Sequence, residues 1–299
     1  MRIPNITTAQ NVISQIQQLG QQQAKLQAQV SSGQRISQFA DDPAAAGRVL
    51  NYNSEQRALA QYTTNSNVAL QVSQATMGSL QSLKTISDRA TELGTLGAGT
   101  QSAQQTQAYA TETNQLLEQA VQQANSKLGN NSLFAGTAVD VAPYTVTRDA
   151  QGQITGVAYV GNTAQSSIAL SSTASVAPGA DSTTTAGMAD FLNHLVALRD
   201  SLQTANSAGV TTAQTGLMTT EDTFVSALAE QGAVQMRIQV NQSQQANLTQ
   251  SLQGLVSGEV DADMPSTIVK LNQAQTAYQA SLQSSASIMK LSLLDYVTT

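Results

Sequence analysis

The residues best suited to chemistry lie in one short stretch of the chain. Arg35 is followed by Asp41 and Asp42, and Pro43 comes directly after this acidic pair. An arginine beside two carboxylates suits an ion-pair clamp, which is bidentate where the geometry allows it. Two adjacent carboxylates could also form a catalytic dyad or part of a metal site, but no histidine or third acid stands nearby. We therefore predict a clamp rather than a catalytic site.

Two further sets of residues could bind a metal or transfer a proton. Asp261 and Asp263 resemble the start of a calcium loop, but its glycine and terminal glutamate are missing and Pro265 follows too soon. We expect Asp263 to cap the last helix instead. The single histidine, His194, lies on the apolar side of a predicted helix without the glutamate and second histidine of a metalloprotease. We predict no catalytic residue, no cofactor and no metal site.

The composition argues against several classes of function. Only 11% of the residues are charged, against about 25% in a typical soluble domain. The net charge of -6 leaves no basic stripe for nucleic acid. No apolar run approaches the roughly 20 residues that cross a bilayer, and the first residues lack the apolar core of a secretory signal. Without cysteines, neither a disulfide framework nor a thiolate metal site is possible. We expect neither nucleic acid nor a membrane as a partner.

Neutral helices with coiled-coil spacing lie at both ends of the chain. Apolar and amide residues recur there at alternating intervals of four and three. The predicted seam residues are Val12, Ile16, Leu19, Leu26 and Val30, and then Ile268, Leu271, Leu282, Leu291 and Leu294. Glutamines such as Gln23 and Gln275 also occupy seam positions, where they fix register but reduce stability. Either neighbouring chains complete these seams, or the glutamines set the register of a self-contained bundle.

The acidic pair lies at a predicted joint between two helices. Gly33 can supply the left-handed residue that ends the first helix, and Asp42 followed by Pro43 suits the N-cap and first turn of the next. We call residues 33–43 the elbow. Its charged residues would hold the loop in one shape.

The order of the elements predicts a helical body with a β insert. Helical patterns cover 65–93, 109–128 and 188–202, with a turn over 94–104. Residues 144–160 are typical of a hairpin, 167–170 could add a third strand, and 171–187 form a loop.

We therefore predict a mainly α fold, in which the N- and C-terminal segments form a long antiparallel coiled-coil or helical bundle and a small β-rich insert domain lies mid-chain. The expected domains are a terminal assembly domain (1–43 and 254–299), a helical rod (44–134 and 188–253) and an outer β-rich domain (135–187).

The elbow and its surroundings resemble a known family. SSGQRISQFADDPAAAGRVL, residues 31–50, resembles the signature SSG-x-R-I followed by A-x-DDPA of bacterial flagellins and hook-filament junction proteins. The start MRI, NNSLFAGT at 130–137, PY at 143–144 and the ending KLNQAQTAYQASLQSSASIMKLSLLDYV are similar to the flagellar hook-associated protein 3 family. The resemblance covers residues 1–137 and 190–299. This chain departs from the signature at Phe39, since Ala40 leads directly into the acidic pair.

This resemblance implies a structural subunit of the bacterial flagellum and not an enzyme. It implies type III export, an extracellular location at the hook-filament junction, and a ring of identical chains between hook-associated protein 1 and the flagellin filament. An export chaperone would bind the C-terminal region. Arg35, Asp41, Asp42 and Pro43 would shape the elbow to match neighbouring subunits. A flagellin-type filament subunit is the nearest alternative, and an enzyme or glycan-binding module on the insert is an alternative of another class.

Overall fold

Long helices make up most of the chain. The computed structural model describes the backbone of residues 4–99 and 101–297 and the side chains of residues 10–99 and 101–287. Within these ranges it has six helices: α1 (Pro4–Ser32), α2 (Pro43–Ala98), α3 (Ala103–Ala124), α4 (Ser182–Gln203), α5 (Ser207–Val260) and α6 (Met264–Val297). This confirms the predicted mainly α fold with a small β insert. None of the described helices carries an apolar stretch long enough to cross a membrane.

The second helix is longer than the sequence pattern indicates. The predicted turn from Gly94 onwards is wrong in its first part, because α2 continues to Ala98. Packing explains the glycine at position 97, because a Cβ there would collide with the Leu202 side chain, whereas a Cβ at Gly94 would make only ordinary contacts at 3.5 Å and beyond. Gly97 therefore allows another side chain to approach the helix closely instead of ending it.

Capping residues set the start of the helices in the middle of the chain. α4 begins at Ser182, earlier than the predicted Met188, because Asp181 is extended and its side chain accepts a hydrogen bond from the Thr184 N–H at 2.7 Å. Such a cap satisfies one of the free donors of the first turn. α3 likewise begins earlier than predicted, after a capping box at Ser102. Local hydrogen bonds thus extend both helices beyond their apolar pattern.

The strands form small antiparallel sheets. Within the described residues β1 (Lys127–Leu128) pairs with β2 (Asn131–Ser132), β3 (Tyr144–Arg148) with β4 (Ile154–Tyr159), and β5 (Ile168–Ala169) with β6 (Ser175–Val176). The β3–β4 pair is the predicted hairpin, and it places the rings of Tyr144 and Tyr159 5.3 Å apart. The predicted third strand is present as β5. However, it pairs with β6 inside the segment predicted to be loop, and it does not extend the hairpin.

The chain forms two compact units. Unit 1 consists of Met1–Ala58 and Leu248–Thr299, and unit 2 is Leu59–Asn247. Both end segments thus fall in unit 1, and all described strands fall in unit 2. The predicted division into three domains is not tested by these units and stays a prediction.

An apolar core holds unit 2 together. α4 packs on α3 and on β4, and the fully buried rings of Phe191 and Phe224 meet edge to face with centroids 5.1 Å apart. The His194 imidazole lies so close to Gly216 that a Cβ there would overlap it. His194 therefore serves packing in this unit.

In unit 1 the first and last helices pack on each other. The Gly33 carbonyl, at the end of α1, accepts a hydrogen bond of 2.8 Å from the Ala262 N–H just before α6. Gly20, further back along α1, faces the Tyr278 ring further along α6. The contact positions move toward the start of α1 as they move toward the end of α6, so the two helices are antiparallel.

Candidate functional site

The elbow joins the end of α1 to the start of α2. Gly33 has a φ of 72°, in the left-handed region, and its N–H donates to the Gln29 carbonyl at 2.8 Å. This geometry closes a helix and favours glycine. Pro43 opens α2, at a position where the N–H that proline lacks would have no helical partner.

A short backbone bridge joins the elbow to the connection between α5 and α6. The Arg35 N–H donates to the Val260 carbonyl at 2.6 Å, and the Ala262 N–H donates to the Gly33 carbonyl at 2.8 Å. Between these bonds Gln34 pairs with Asp261 in antiparallel fashion. Two joints that lie far apart in sequence are thus held together by main-chain atoms.

Asp42 combines a helix cap with an ion pair. Its Oδ1 accepts the Ala45 N–H at 3.0 Å, and its Oδ2 lies 3.3 Å from Arg35 Nη1. The Ala45 N–H first, and the Arg35 guanidinium second, lower the pKa of this carboxyl. Asp42 therefore fixes the start of α2 and attaches Arg35 to it through a single hydrogen bond.

Asp41 pairs with Lys25 of α1. Its Oδ1 lies 2.9 Å from Lys25 Nζ, while its Oδ2 accepts the backbone N–H groups of Ser37 and Gln38, each at 3.1 Å. The Lys25 ammonium, followed by these two donors, holds the pKa of Asp41 well below its usual range. This carboxylate consequently ties the elbow loop to the preceding helix. The predicted clamp thus divides: Arg35 pairs with Asp42, and Lys25 pairs with Asp41.

Glu259, at the end of α5, completes the site. Its carboxylate accepts two hydrogen bonds from Arg48, at 2.8 Å from Nε to Oε1 and 2.9 Å from Nη2 to Oε2. Its main-chain carbonyl accepts a third, from Arg35 Nη2 at 2.7 Å. The Arg48 guanidinium lowers the pKa of Glu259, and Glu259 raises that of Arg48. The bidentate arginine pair of this site is therefore Arg48 with Glu259.

We call Lys25, Arg35, Asp41, Asp42, Arg48 and Glu259 the elbow cluster. Sequence reasoning missed Lys25, Arg48 and Glu259. The sequence does contain one indication of Glu259. It is the first charged residue after a long uncharged run that begins beyond Arg237, and a single charge at the end of such a run indicates a specific ionic partner.

Each acid of the elbow cluster is committed to cationic and N–H partners. Such carboxylates stay ionised and hold a shape, because their pKa values are moved away from neutral pH and not toward it. Among the described residues no group of three or more acids, histidines or cysteines is arranged to hold a metal ion. The elbow cluster thus holds two helix junctions together through ion pairs and hydrogen bonds.

Among the described residues, the proposed seam residues of α1 are its least exposed large apolar side chains. Leu26 is buried, and the other four are half-buried: Val12, Ile16, Leu19 and Val30. Every intervening residue from Asn11 to Lys25 outside the seam is exposed apart from Gly20.

The proposed seam residues of α6 differ from one another in exposure. Leu271 is half-buried, but Ile268 and Leu282 are each 43% exposed. The residues of α6 that are buried are smaller: Thr267, Ala274 and Ser285. Small side chains on this stripe let the two helices approach closely and turn the larger ones outward. The side chains of Leu291 and Leu294 lie outside the described residues.

Comparison with known proteins gives this geometry a context. A family model, the bacterial flagellin N-terminal helical region, matches residues 3–138. No curated protein matches the chain.

Several solved structures share its fold. A flagellar hook-associated protein from Vibrio parahaemolyticus is 17% identical, with a TM-score of 0.66 over 74% of this chain and 100% of that one. FlgL from Bacillus cereus is 16% identical, with a TM-score of 0.60 over 69% of this chain and 99% of that one. FlgL from Xanthomonas campestris is 14% identical, with a TM-score of 0.55 over 69% and 99%. None of these is named as an enzyme. Over residues 3–138 the chain is therefore similar to the bacterial flagellin N-terminal helical region, and its fold is that of the flagellar hook-associated proteins.

Proposed function

We propose that this chain is a structural subunit of the hook-filament junction, where it connects hook-associated protein 1 to the flagellin filament. The fold shared with hook-associated proteins and the match to the flagellin N-terminal helical region support this role. A ring of identical chains would form one layer of the axial tube.

The observation that carries this proposal is the exposed apolar surface of unit 1. Although α1 and α6 pack on each other, Ile13, Ile268, Val269 and Leu282 of this pair are each exposed by more than two fifths. Exposed apolar side chains at this density are unfavourable in a free monomer, whereas their burial against another subunit stabilises an assembly. Few charged residues interrupt these helices, so packing against another copy would desolvate few ions.

The elbow cluster would give this surface a fixed geometry. Its ion pairs and its backbone bridge hold the α1–α2 joint to the α5–α6 joint. A subunit whose helix ends meet in one defined shape can be matched by its neighbours without reordering on binding. Arg35, Asp41, Asp42 and Pro43 are therefore proposed to act in assembly.

A subunit of this kind would leave the cell before it assembles. We propose export through the flagellar type III apparatus, a final extracellular location, and an export chaperone that binds the C-terminal region. The apolar sequence IMKLSLLDYV at residues 288–297 gives such a chaperone a surface to cover until neighbouring chains do so.

Deletion of the gene combined with immuno-electron microscopy tests the proposal. Cells without the chain should keep intact hooks and shed flagellin into the medium, and antibody against the chain should label a narrow band at the junction. Hooks that still carry attached filaments in the deletion strain would contradict the role.

A flagellin-type filament subunit is a second candidate, because the matched family model is that of flagellin itself. The same micrographs separate the two functions. Label along the whole filament would favour flagellin, whereas label confined to one band favours the junction subunit.

The elbow cluster can be tested separately. Replacement Arg35→Ala removes the pair with Asp42 and the bond to the Glu259 carbonyl, so we expect incorporation to fall while helix content by circular dichroism stays nearly intact. Arg57→Ala, an exposed arginine elsewhere in unit 1, is the matched control. Equal incorporation of both variants would show that the cluster plays no part in assembly.

A further inference from the structure

Phe39 is the most exposed large apolar residue of the elbow, with a relative exposure of 61%. It lies at the tip of a turn in which the Asp41 N–H donates to the Gln38 carbonyl at 3.0 Å. Exposing a large apolar ring to water carries a free-energy cost. Its position therefore points to a contact outside the monomer.

Hydrogen bonds and an ion pair hold the turn that carries Phe39. Asp41 Oδ2 accepts the Ser37 N–H and the Gln38 N–H, and Lys25 holds the same carboxylate from α1. An aromatic anchor on an ordered turn loses little conformational freedom on binding. The ionic contacts around Asp41 thus preorganise the loop that presents the ring.

Unit 2 contains a surface with the complementary property. A cavity of about 310 Å³ opens between α2 and the β-rich segments. Its apolar lining includes Val68, Val72, Leu133, Val139, Ile168 and Pro178. None of the described residues that line it is charged, and amides such as those of Asn131 and Gln165 supply its polar part.

The turn and the cavity match in size and in charge. An apolar cavity of roughly 150 Å³ is enough to bind benzene, so the cavity of unit 2 can accept the phenyl ring with room for neighbouring atoms. Residues 37–40 are Ser, Gln, Phe and Ala, without charge, like the lining of the cavity. Burial of the Phe39 ring would itself desolvate no ion, and the Gln38 amide has amide partners of its own kind at Asn131 and Gln165.

We infer that Phe39 of one copy of this chain binds in the unit 2 cavity of a second copy. The inference rests on the proposed function, because it names a contact between subunits of the assembly. The two surfaces differ, so the contact is heterologous, and repetition of such a contact gives a closed ring or an open helix. Phe39 is then an assembly anchor, and the elbow cluster is what holds it in position.

Disulfide trapping tests this contact, because the chain has no cysteine of its own. One variant carries Ala40→Cys beside the anchor, and a second carries Val68→Cys at the cavity. The two are mixed at high concentration and oxidised, and the mixed dimer is followed on non-reducing gels. The same pair is then measured with Phe39→Ser added to the first variant, or with Leu50→Ser, a half-exposed residue of α2 in unit 1, as the matched control. A further control replaces Val68→Cys by Val225→Cys, which is equally exposed but outside the cavity.

We expect Phe39→Ser to slow formation of the mixed dimer at least about tenfold, as for loss of a buried aromatic anchor, and Leu50→Ser to leave it unchanged. Equal rates for Val68→Cys and Val225→Cys, or no effect of Phe39→Ser, would overturn the inference. Phe39 is exposed, so its replacement should leave the circular dichroism spectrum intact. The outcome is separate from the proposed function: a junction band in micrographs without a cavity-specific disulfide rejects only the Phe39 contact, and a specific disulfide without the band rejects only the junction role.

Discussion

Gly136→Ala is the perturbation with the most direct structural consequence. Gly136 belongs to the NNSLFAGT stretch, lines the unit 2 cavity and has a φ of 66°. A Cβ there would overlap both the main-chain and the side-chain oxygen of Asn162 and would lie 2.8 Å from the Ala164 carbonyl oxygen. Two of these three obstacles are backbone atoms, which cannot rotate away. The alanine variant must therefore displace the segment around Asn162.

The magnitude follows from what that displacement breaks. An alanine in the left-handed region costs about 1 kcal/mol. The Asn162 side chain accepts the Thr137 N–H at 2.9 Å and donates to Thr137 Oγ1 at 2.6 Å. These two hydrogen bonds contribute about 0.5 to 1 kcal/mol each. We therefore expect the free energy of unfolding to fall by about 2 to 3 kcal/mol. For a unit of this size that lowers Tm by roughly 4 to 12 °C.

Thermal and urea unfolding followed by circular dichroism measure this loss, with Gly152→Ala as the control. Gly152 has a φ of 82°, but no heavy atom lies within 4 Å of the Cβ position. Its replacement should cost only the backbone part, about 1 kcal/mol. If the two variants lose the same stability, the close approach at Asn162 contributes nothing and the reasoning is refuted.

Three further predictions concern the elbow cluster and the insert. Glu259→Gln removes the bidentate pair with Arg48, so amide hydrogen exchange in the elbow should become faster, and Glu230→Gln, an exposed control in unit 2, should leave it unchanged. The pKa values of Asp41 and Glu259 lie below their ordinary values of 3.8 and 4.5. Both carboxylates therefore stabilise the folded state above those values, and this stabilisation is lost as the pH falls through the folded-state pKa. If acid unfolding of unit 1 follows the same pH curve in wild type and Glu259→Gln, Glu259 makes no such contribution. Tyr144→Phe removes the buried hydrogen bond of 2.8 Å to a carbonyl of α4 and should lower the free energy of unfolding by about 1 kcal/mol in urea denaturation, a loss that an unchanged midpoint would rule out.

Elements whose cause is local could be predicted from the amino-acid sequence alone. Helical periodicity gave the helices, β-branched and aromatic runs around a turn gave the β3–β4 hairpin, and Gly33 with Asp42 gave the elbow, because caps and left-handed turns depend on residues a few positions apart. Where a prediction failed locally, as at the start of α4, a cap outside the apolar pattern was responsible.

Contacts between groups that lie far apart in sequence are visible only in the folded chain. Glu259 and Arg48 are separated by more than two hundred residues, and no spacing rule relates them. The inward stripe of α6 is likewise set by close approach to α1, which selects Thr267 and Ala274 and leaves Ile268 exposed. Hydrophobicity indicates which residues can be buried, but the partner helix decides which of them are, because burial depends on shape and distance in space.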